Sequence, residues 1–314
     1  MKKKILFLIM VYDNPLIMGE YNLLIQHYHK LKEKHHLDNI EFYGYTSGNE
    51  FAYDEGKRLF TFNINCNEGY FATYLKTRVM FEYADKHFDY DYVYRANTST
   101  YCNIQLLDKF VQQADLDNNT ICGSELYCRH DIINNNGKID IDITYKYVRG
   151  NSVLIPKKLL KYIYECDMNE IIQAKQKLSL VADDDIIGWI LSNKKINHRT
   201  YFQEWFKCLN FNGHCFANDD ISLEHLREFI VIQVKQYGSR ETEYFNLFTL
   251  CNTFDNYEYE DRDLENILKF YNANDIIWID MDFGYILEVK DKGFYHIGYN
   301  RDAVYNALFN IKIE

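Results

Sequence analysis

The sequence predicts an α/β fold: a mixed sheet flanked by helices over residues 1–215, with a helical and hairpin extension, residues 216–314, packed on it. Three observations predict it. Strand and helix signals alternate through residues 1–200, the strand signals are short apolar runs, and an Asn-Gly step marks an antiparallel insertion that would make the sheet mixed.

The elements follow in order. Ile5–Val11 is an uninterrupted apolar run closed by Tyr12-Asp13-Asn14-Pro15. The lysines before it imitate a signal peptide, but the run is short and no small-residue cleavage site follows, so it reads as the first strand. From Glu20 to Glu33 the residues Tyr21, Leu24, Ile25, Tyr28 and Leu31 recur near helical spacing, and Ile40–Tyr45 is a strand closed by Thr46-Ser47-Gly48-Asn49. Thr73–Lys86 is a second helix that feeds the strand Tyr90–Tyr94, and Asn103–Gln113 is a third. Residues 123–156 read as two extended runs around Asn135-Asn136-Gly137, where Asn-Gly supplies the positive φ of a hairpin turn. Lys157–Glu165 is helical after Pro156. Asp183–Ser192 is a helix with acidic residues at its positive N-terminus, and His198–Trp205 reads as a strand. Beyond Phe216 the pattern gives helices at Ser222–Glu228, Glu241–Leu250 and Asp261–Tyr271, then a hairpin-like run, Ile276–Ile297.

Composition excludes several classes of function. With 47% hydrophobic residues and only two prolines, the chain is packed rather than linker-like. A net charge of −11 argues against non-specific nucleic-acid binding, so an anionic ligand must be held by local positive charge. The eight cysteines form no Cys-x-x-Cys pair, which signals neither a zinc ribbon nor a redox motif and points to a reducing, cytoplasmic setting. No segment approaches the length of a membrane span. The 28 tyrosines suit stacking on sugar or base, and equally an AT-biased genome.

In parallel sheets, ligands bind beyond the carboxyl ends of the strands. That rule selects Tyr12-Asp13-Asn14, Tyr45-Thr46-Ser47 and the segment Arg95 to Ser99. A guanidinium beside Asn97, Thr98 and Ser99 can hold a diphosphate or a sugar; the same residues also suit a turn that caps the helix from Asn103. A second group is Asp183-Asp184-Asp185. Three adjacent carboxylates repel, and one that stays partly desolvated is a candidate general base, while an acidic helix start is the alternative reading. In the third, Tyr147 to Ser152, Gly150 permits a close backbone approach or makes a bend. His27, His29, His35 and His36 have no carboxylate at ligand spacing and read as surface or packing residues.

Taken in order, Lys76-Thr77, Tyr101-Cys102-Asn103, Tyr147 with Gly150, and Asp183-Asp184 with Gly188 resemble the fringe-like β-1,3-glycosyltransferases and their bacterial and viral relatives, over residues 70–195. The resemblance implies a GT-A-type, Rossmann-like mixed sheet and transfer of a hexose or N-acetylhexosamine from a nucleotide diphosphate sugar, UDP-linked, to a glycan hydroxyl. It further implies inversion, with retention as the alternative. Asp184 would be the base, and Asp183 or Asp185 the substitute. Where the family carries its metal-binding Asp-x-Asp, this chain has Asn97-Thr98-Ser99, a poor ligand set for Mn²⁺ or Mg²⁺. Lys76, Arg78, Arg95, Lys235 and Arg240 are the expected counter-charges for the diphosphate in a metal-independent reaction. A catalytically silent sugar- or nucleotide-binding module is the competing expectation.

Overall fold

Ile5–Met10 (β1) lies inside an eight-stranded sheet, and its six side chains are all buried. Such a position demands an uninterrupted apolar run, because alternate residues must each meet a layer of helices. The computed structural model describes residues 2–64, 70–113, 116, 118–123, 126–135, 138–178, 180, 182–200, 231–233, 247–248, 250–252, 254–255, 276–281, 284–289 and 293–297.

Helix α1, Pro15–Lys34, begins earlier than periodicity alone indicates, because Asn14 accepts hydrogen bonds from the Leu16 and Ile17 N–H groups and Pro15 fills the first turn. It leads to β2 (Ile40–Gly48), the short pair β3 (Ala52–Asp54) and β4 (Leu59–Asn63), and α2 (Tyr70–His87). Then come β5 (Tyr92–Asn97), β6 (Thr100–Cys102), α3 (Ile104–Gln113) and β7 (Thr120–Gly123). The insertion supplies β8 (Leu126–Asn135) and β9 (Lys138–Val148), followed by β10 (Ser152–Pro156), α4 (Lys157–Tyr164), α5 (Met168–Leu178), α6 (Asp183–Asn193) and β11 (Asn197–Thr200). Helix α5 and the β3–β4 pair were not legible in the sequence, since α5 buries only Ile171 and Ala174 and β3 is exposed throughout.

The main sheet has the order β11-β7-β10-β5-β1-β2-β4-β3. β1 is parallel to both β2 and β5, whereas β10 runs antiparallel to β5, so the sheet is mixed as expected. Phe7 and Ile9 face α1 and α3 in a core shared with Tyr28, Phe42 and Tyr94, the Phe7 and Tyr94 rings lying 4.7 Å apart. Leu6, Leu8 and Met10 face the opposite layer, built from α2, α4, α5 and α6. Among the described residues no helix is long and apolar enough to cross a membrane.

Two further pairings tie the late chain to the early chain. Val231–Gln233 (β12) lies antiparallel to β6. Ile276–Met281 (β13), Gly284–Val289 (β14) and Gly293–Ile297 (β15) form an antiparallel meander, and β13 pairs with β8 to complete a second, five-stranded sheet. The β8–β9 hairpin closes at Asn135 opposite Lys138, across the Asn-Gly step. Helical residues around 247–255 pack on α1: Asp255 lies 3.0 Å from His27 Nδ1 and 2.5 Å from Lys30 Nζ. His27 is a packing residue, its other nitrogen 3.0 Å from the Tyr101 hydroxyl, and burial lowers its pKa to about 4.

Gly188 sets how closely α6 approaches β9. A Cβ there would fall 1.9 Å from Tyr147 Cβ and 2.6 Å from its Cα. Gly188→Ala therefore forces the helix off the strand, and urea denaturation should show a loss of about 1–3 kcal/mol. An unchanged midpoint would mean that α6 does not depend on this contact.

Candidate active site at the carboxyl edge of the sheet

Strand order places the site before any side chain is considered. The chain passes from β1 to β2 on one side and returns through α2 to β5 on the other, so the switch point, where open α/β sheets bind ligands, lies between the carboxyl ends of β1 and β5. Met10 pairs with Asn97 at that edge, and Ser152 pairs with Ala96 from the antiparallel neighbour β10. Gly150 precedes β10 and thus sits just past the end of β5.

Arg95 faces the α2–α6 layer from within β5 and is 2% exposed. Its Nη2 lies 2.5 Å from Asp183 Oδ2 and 3.4 Å from Met10 Sδ, its Nε donates to the Tyr45 hydroxyl at 3.4 Å, and Nη1 donates to the Gly150 carbonyl. Each guanidinium nitrogen is thus engaged inside the protein. Arg95, expected at the diphosphate, ties the sheet to the start of α6 and the Gly150 loop, because residue 95 has the same facing as the core residue Val93.

The aspartates divide by position in the first turn of α6. Asp183 is 5% exposed; it accepts from Thr77 Oγ1 at 3.2 Å, and its N–H donates to Thr73 Oγ1 at 3.2 Å, which satisfies one of the unpaired amides of the helix start. Asp185 is 3% exposed and accepts from the Tyr145 hydroxyl. Asp184 is only partly buried. Its Oδ2 accepts from the Gly150 N–H at 2.8 Å and its Oδ1 from the Asp185 N–H at 3.0 Å. Burial, then the neighbouring Asp183 carboxylate, pushes the Asp184 pKa up to about 6, against the Gly150 N–H and Arg95, which pull it down.

Arg95, Gly150, Asp183 and Asp184 line one cavity of about 10 Å³, room for at most a single water. The hollow between Arg95 and Asp184 is therefore shared, and it is too small for anything larger than water. Gly150 is closed in as well: a Cβ there would meet Arg95 Nη1 at 2.7 Å and Asp184 Cβ at 3.2 Å.

The other expected residues separate. Lys76 is buried with its Nζ 4.3 Å from the centre of the Tyr12 ring, at the end of β1. Tyr45 is buried and shares Thr77 Oγ1 at 3.0 Å. Arg78, two positions after Lys76 in α2, is turned away by the helical period toward Tyr74, whose hydroxyl donates to the Ile163 carbonyl of α4. Thr98 donates to Glu20 of α1 at 2.7 Å, in the opposite layer from Asp184. Lys235 and Arg240 lie outside the described residues. Sequence reasoning missed Thr73, Tyr145 and Glu20; only Thr73 had a signal, its i, i+4 spacing from Thr77.

The Asn97 turn is closed by its own side chains. Asn97 Oδ1 accepts from Ser99 Oγ at 3.0 Å and from Thr100 Oγ1 at 2.7 Å, and Asn103 Oδ1 caps α3 through the Leu106 N–H at 3.3 Å. This is the turn-and-cap alternative in geometric form. A neutral amide already accepting two hydrogen bonds does not fit the oxygen-rich, charged ligand set that Mg²⁺ or Mn²⁺ requires. Among the described residues no group of three or more His, Cys, Asp or Glu is placed to share a cation.

No family model matches the chain, and no curated protein sequence matches it. Among solved structures it is similar to a glycosyltransferase involved in the glycosylation of the major capsid of PBCV-1, with 11% identity over 78% of this chain and 99% of that one, at a TM-score of 0.45. It is also similar to the galactosyltransferase LgtC in complex with donor and acceptor sugar analogues (12% identity, 83% and 99% covered, TM-score 0.43). A third is the apo form of the glycosyltransferase GlyE of Streptococcus pneumoniae TIGR4 (13% identity, 87% and 63% covered, TM-score 0.40). At these scores the likeness assigns no residue of this chain a role.

Proposed function

We propose that the protein is a glycosyltransferase that moves a hexose or N-acetylhexosamine from a UDP-sugar to a glycan hydroxyl, with inversion and without a metal ion. The observation that carries this reading is Asp184: a partly exposed carboxylate at the carboxyl edge of the sheet, fixed by two backbone N–H groups, with its pKa raised to about 6. The ordered resemblance of Lys76-Thr77, Gly150 and Asp183-Asp184 to fringe-like enzymes supports it.

In this reading Asp184 takes the proton of the acceptor hydroxyl as its oxygen bonds to the anomeric carbon. The bond from that carbon to the β-phosphate oxygen breaks on the opposite face, and its electron pair leaves with UDP. Arg95 touches no substrate. It is a positioning residue, holding the Gly150 carbonyl while the Gly150 N–H holds Asp184. Lys76 beside Tyr12, with Lys235 and Arg240 from the late chain, supplies positive charge to the departing diphosphate.

A second reading is favoured by the self-closed Asn97 turn: a silent module that binds sugar or nucleotide without turnover. A thermal-shift experiment tests the donor, comparing UDP, UDP-glucose, UDP-galactose and UDP-N-acetylglucosamine, each with Mn²⁺ and with EDTA. A nucleotide sugar at a hundredfold excess over its Kd stabilises the folded chain by about 2.7 kcal/mol, a readily resolved shift. At least one should do so equally in EDTA. If none does, the donor assignment is wrong; if EDTA removes the shift, the metal-independent mechanism is wrong.

A further inference from the structure

The outer strand of the main sheet and the residue before it carry exposed aromatic rings. β3 is the edge strand, and Phe51 and Tyr53 are 54% and 42% exposed. Their inner faces are fixed: Tyr53 stacks on Phe60 with centroids 4.4 Å apart and planes at 24°, and Phe51 lies 5.7 Å from both Phe62 and Tyr83. Both rings are exposed, and Asn49 and Glu50 of the same segment are exposed polar residues.

Register relates these rings to the site. Met10 is level with Tyr45 and Asn97, Tyr45 pairs with Phe60 and Phe60 with Tyr53, so Tyr53 is level with the carboxyl ends of β1 and β5 and Phe51 lies two residues beyond them. Phe60, Phe62 and Tyr83 belong to the α2–α6 layer, as does the start of α6, so rings and aspartate share a face of the sheet. Four strand spacings separate β5, beside which Asp184 sits, from β3, about 19 Å, a span for an oligosaccharide rather than a monosaccharide.

We propose that Phe51 and Tyr53 form a stacking platform for a neutral glycan, which grips the acceptor chain away from its reacting end. The proposal rests on the glycosyl-transfer reading. The C–H face of a pyranose packs on an aromatic ring while its hydroxyls bond to the polar neighbours. Lys57 pairs with Asp54 and Arg58 with Glu41, and Glu50 and Glu55 lie in the same segment, so the local charge disfavours an anionic polymer or a lipid surface. The patch is also far below the roughly 800 Å² per partner of a stable protein interface.

The test uses the full chain and an array of neutral oligosaccharides of glucose, galactose, mannose and N-acetylglucosamine, from disaccharide to hexasaccharide. Wild type should retain hexasaccharides of at least one composition, and Phe51→Ala/Tyr53→Ala should bind them about tenfold more weakly with the UDP-sugar thermal shift unchanged. Phe51→Tyr/Tyr53→Phe, which keeps both ring faces, should bind as wild type does and guards against a folding artefact. Equal binding by wild type and the alanine variant, no hexasaccharide retained by wild type, or a dimer that becomes monomer in the alanine variant on sedimentation would each overturn the platform. Ring-dependent hexasaccharide binding without any UDP-sugar shift would leave the platform standing and overturn the transferase reading alone.

Discussion

Asp184→Asn is expected to lower the rate of sugar transfer by about 10²–10⁴-fold while leaving the UDP-sugar thermal shift in place. The amide keeps the shape of the carboxylate and cannot take a proton. Wild type should also show its ionisation: a pKa near 6 means that transfer falls as pH drops through about 6 and is level above it, because only the carboxylate acts as base. The acid limb should vanish from whatever residual activity Asp184→Asn retains. Asp183→Asn and Asp185→Asn, at buried positions bonded to Arg95 and Tyr145, should change stability more than the pH profile. Unchanged slow turnover in Asp184→Asn would remove Asp184 from the chemistry and favour the silent binding module.

Arg95→Met is expected to destabilise the fold by about 3–5 kcal/mol in urea denaturation, because it strands the Asp183 carboxylate in a layer where both groups are almost fully buried. Lysine should not rescue it, since one ammonium cannot serve Asp183, Gly150 and Tyr45 together as the planar guanidinium does. In Arg95→Met/Asp183→Leu much of the loss should return, because an apolar pair of similar volume carries no unpaired charge. If Arg95→Met instead left stability intact and weakened only the UDP-sugar shift, Arg95 would be a donor ligand and its inward geometry would be irrelevant to function.

The contrast between these two residues shows what was legible. Both were singled out from sequence, Arg95 as a polar end to a core strand and Asp184 as one of three adjacent carboxylates. Their roles part because Arg95 shares the facing of Val93, whereas Asp184 is the one aspartate that α6 turns toward the loop at Gly150. Lys76 and Arg78 were grouped as counter-charges, although two steps along a helix rotate a side chain by about 200° and part them. Glu20 beneath Thr98 and Tyr145 over Asp185 had no local signal, because each partner comes from a distant part of the chain.

By itself the sequence determined the alternation of strands and helices, the buried β1 run, the Asn-Gly hairpin and the polar segments that close the strands. These depend on period, on backbone freedom and on neighbours a few residues apart. Tertiary structure alone decided that Arg95 points inward, that the Asn97 turn bonds to itself and that Asp184 keeps an open side with a raised pKa. Ionisation and exposure follow from what packs above a residue, and here that is set by α2, α6 and the Gly150 loop meeting at one edge of the sheet.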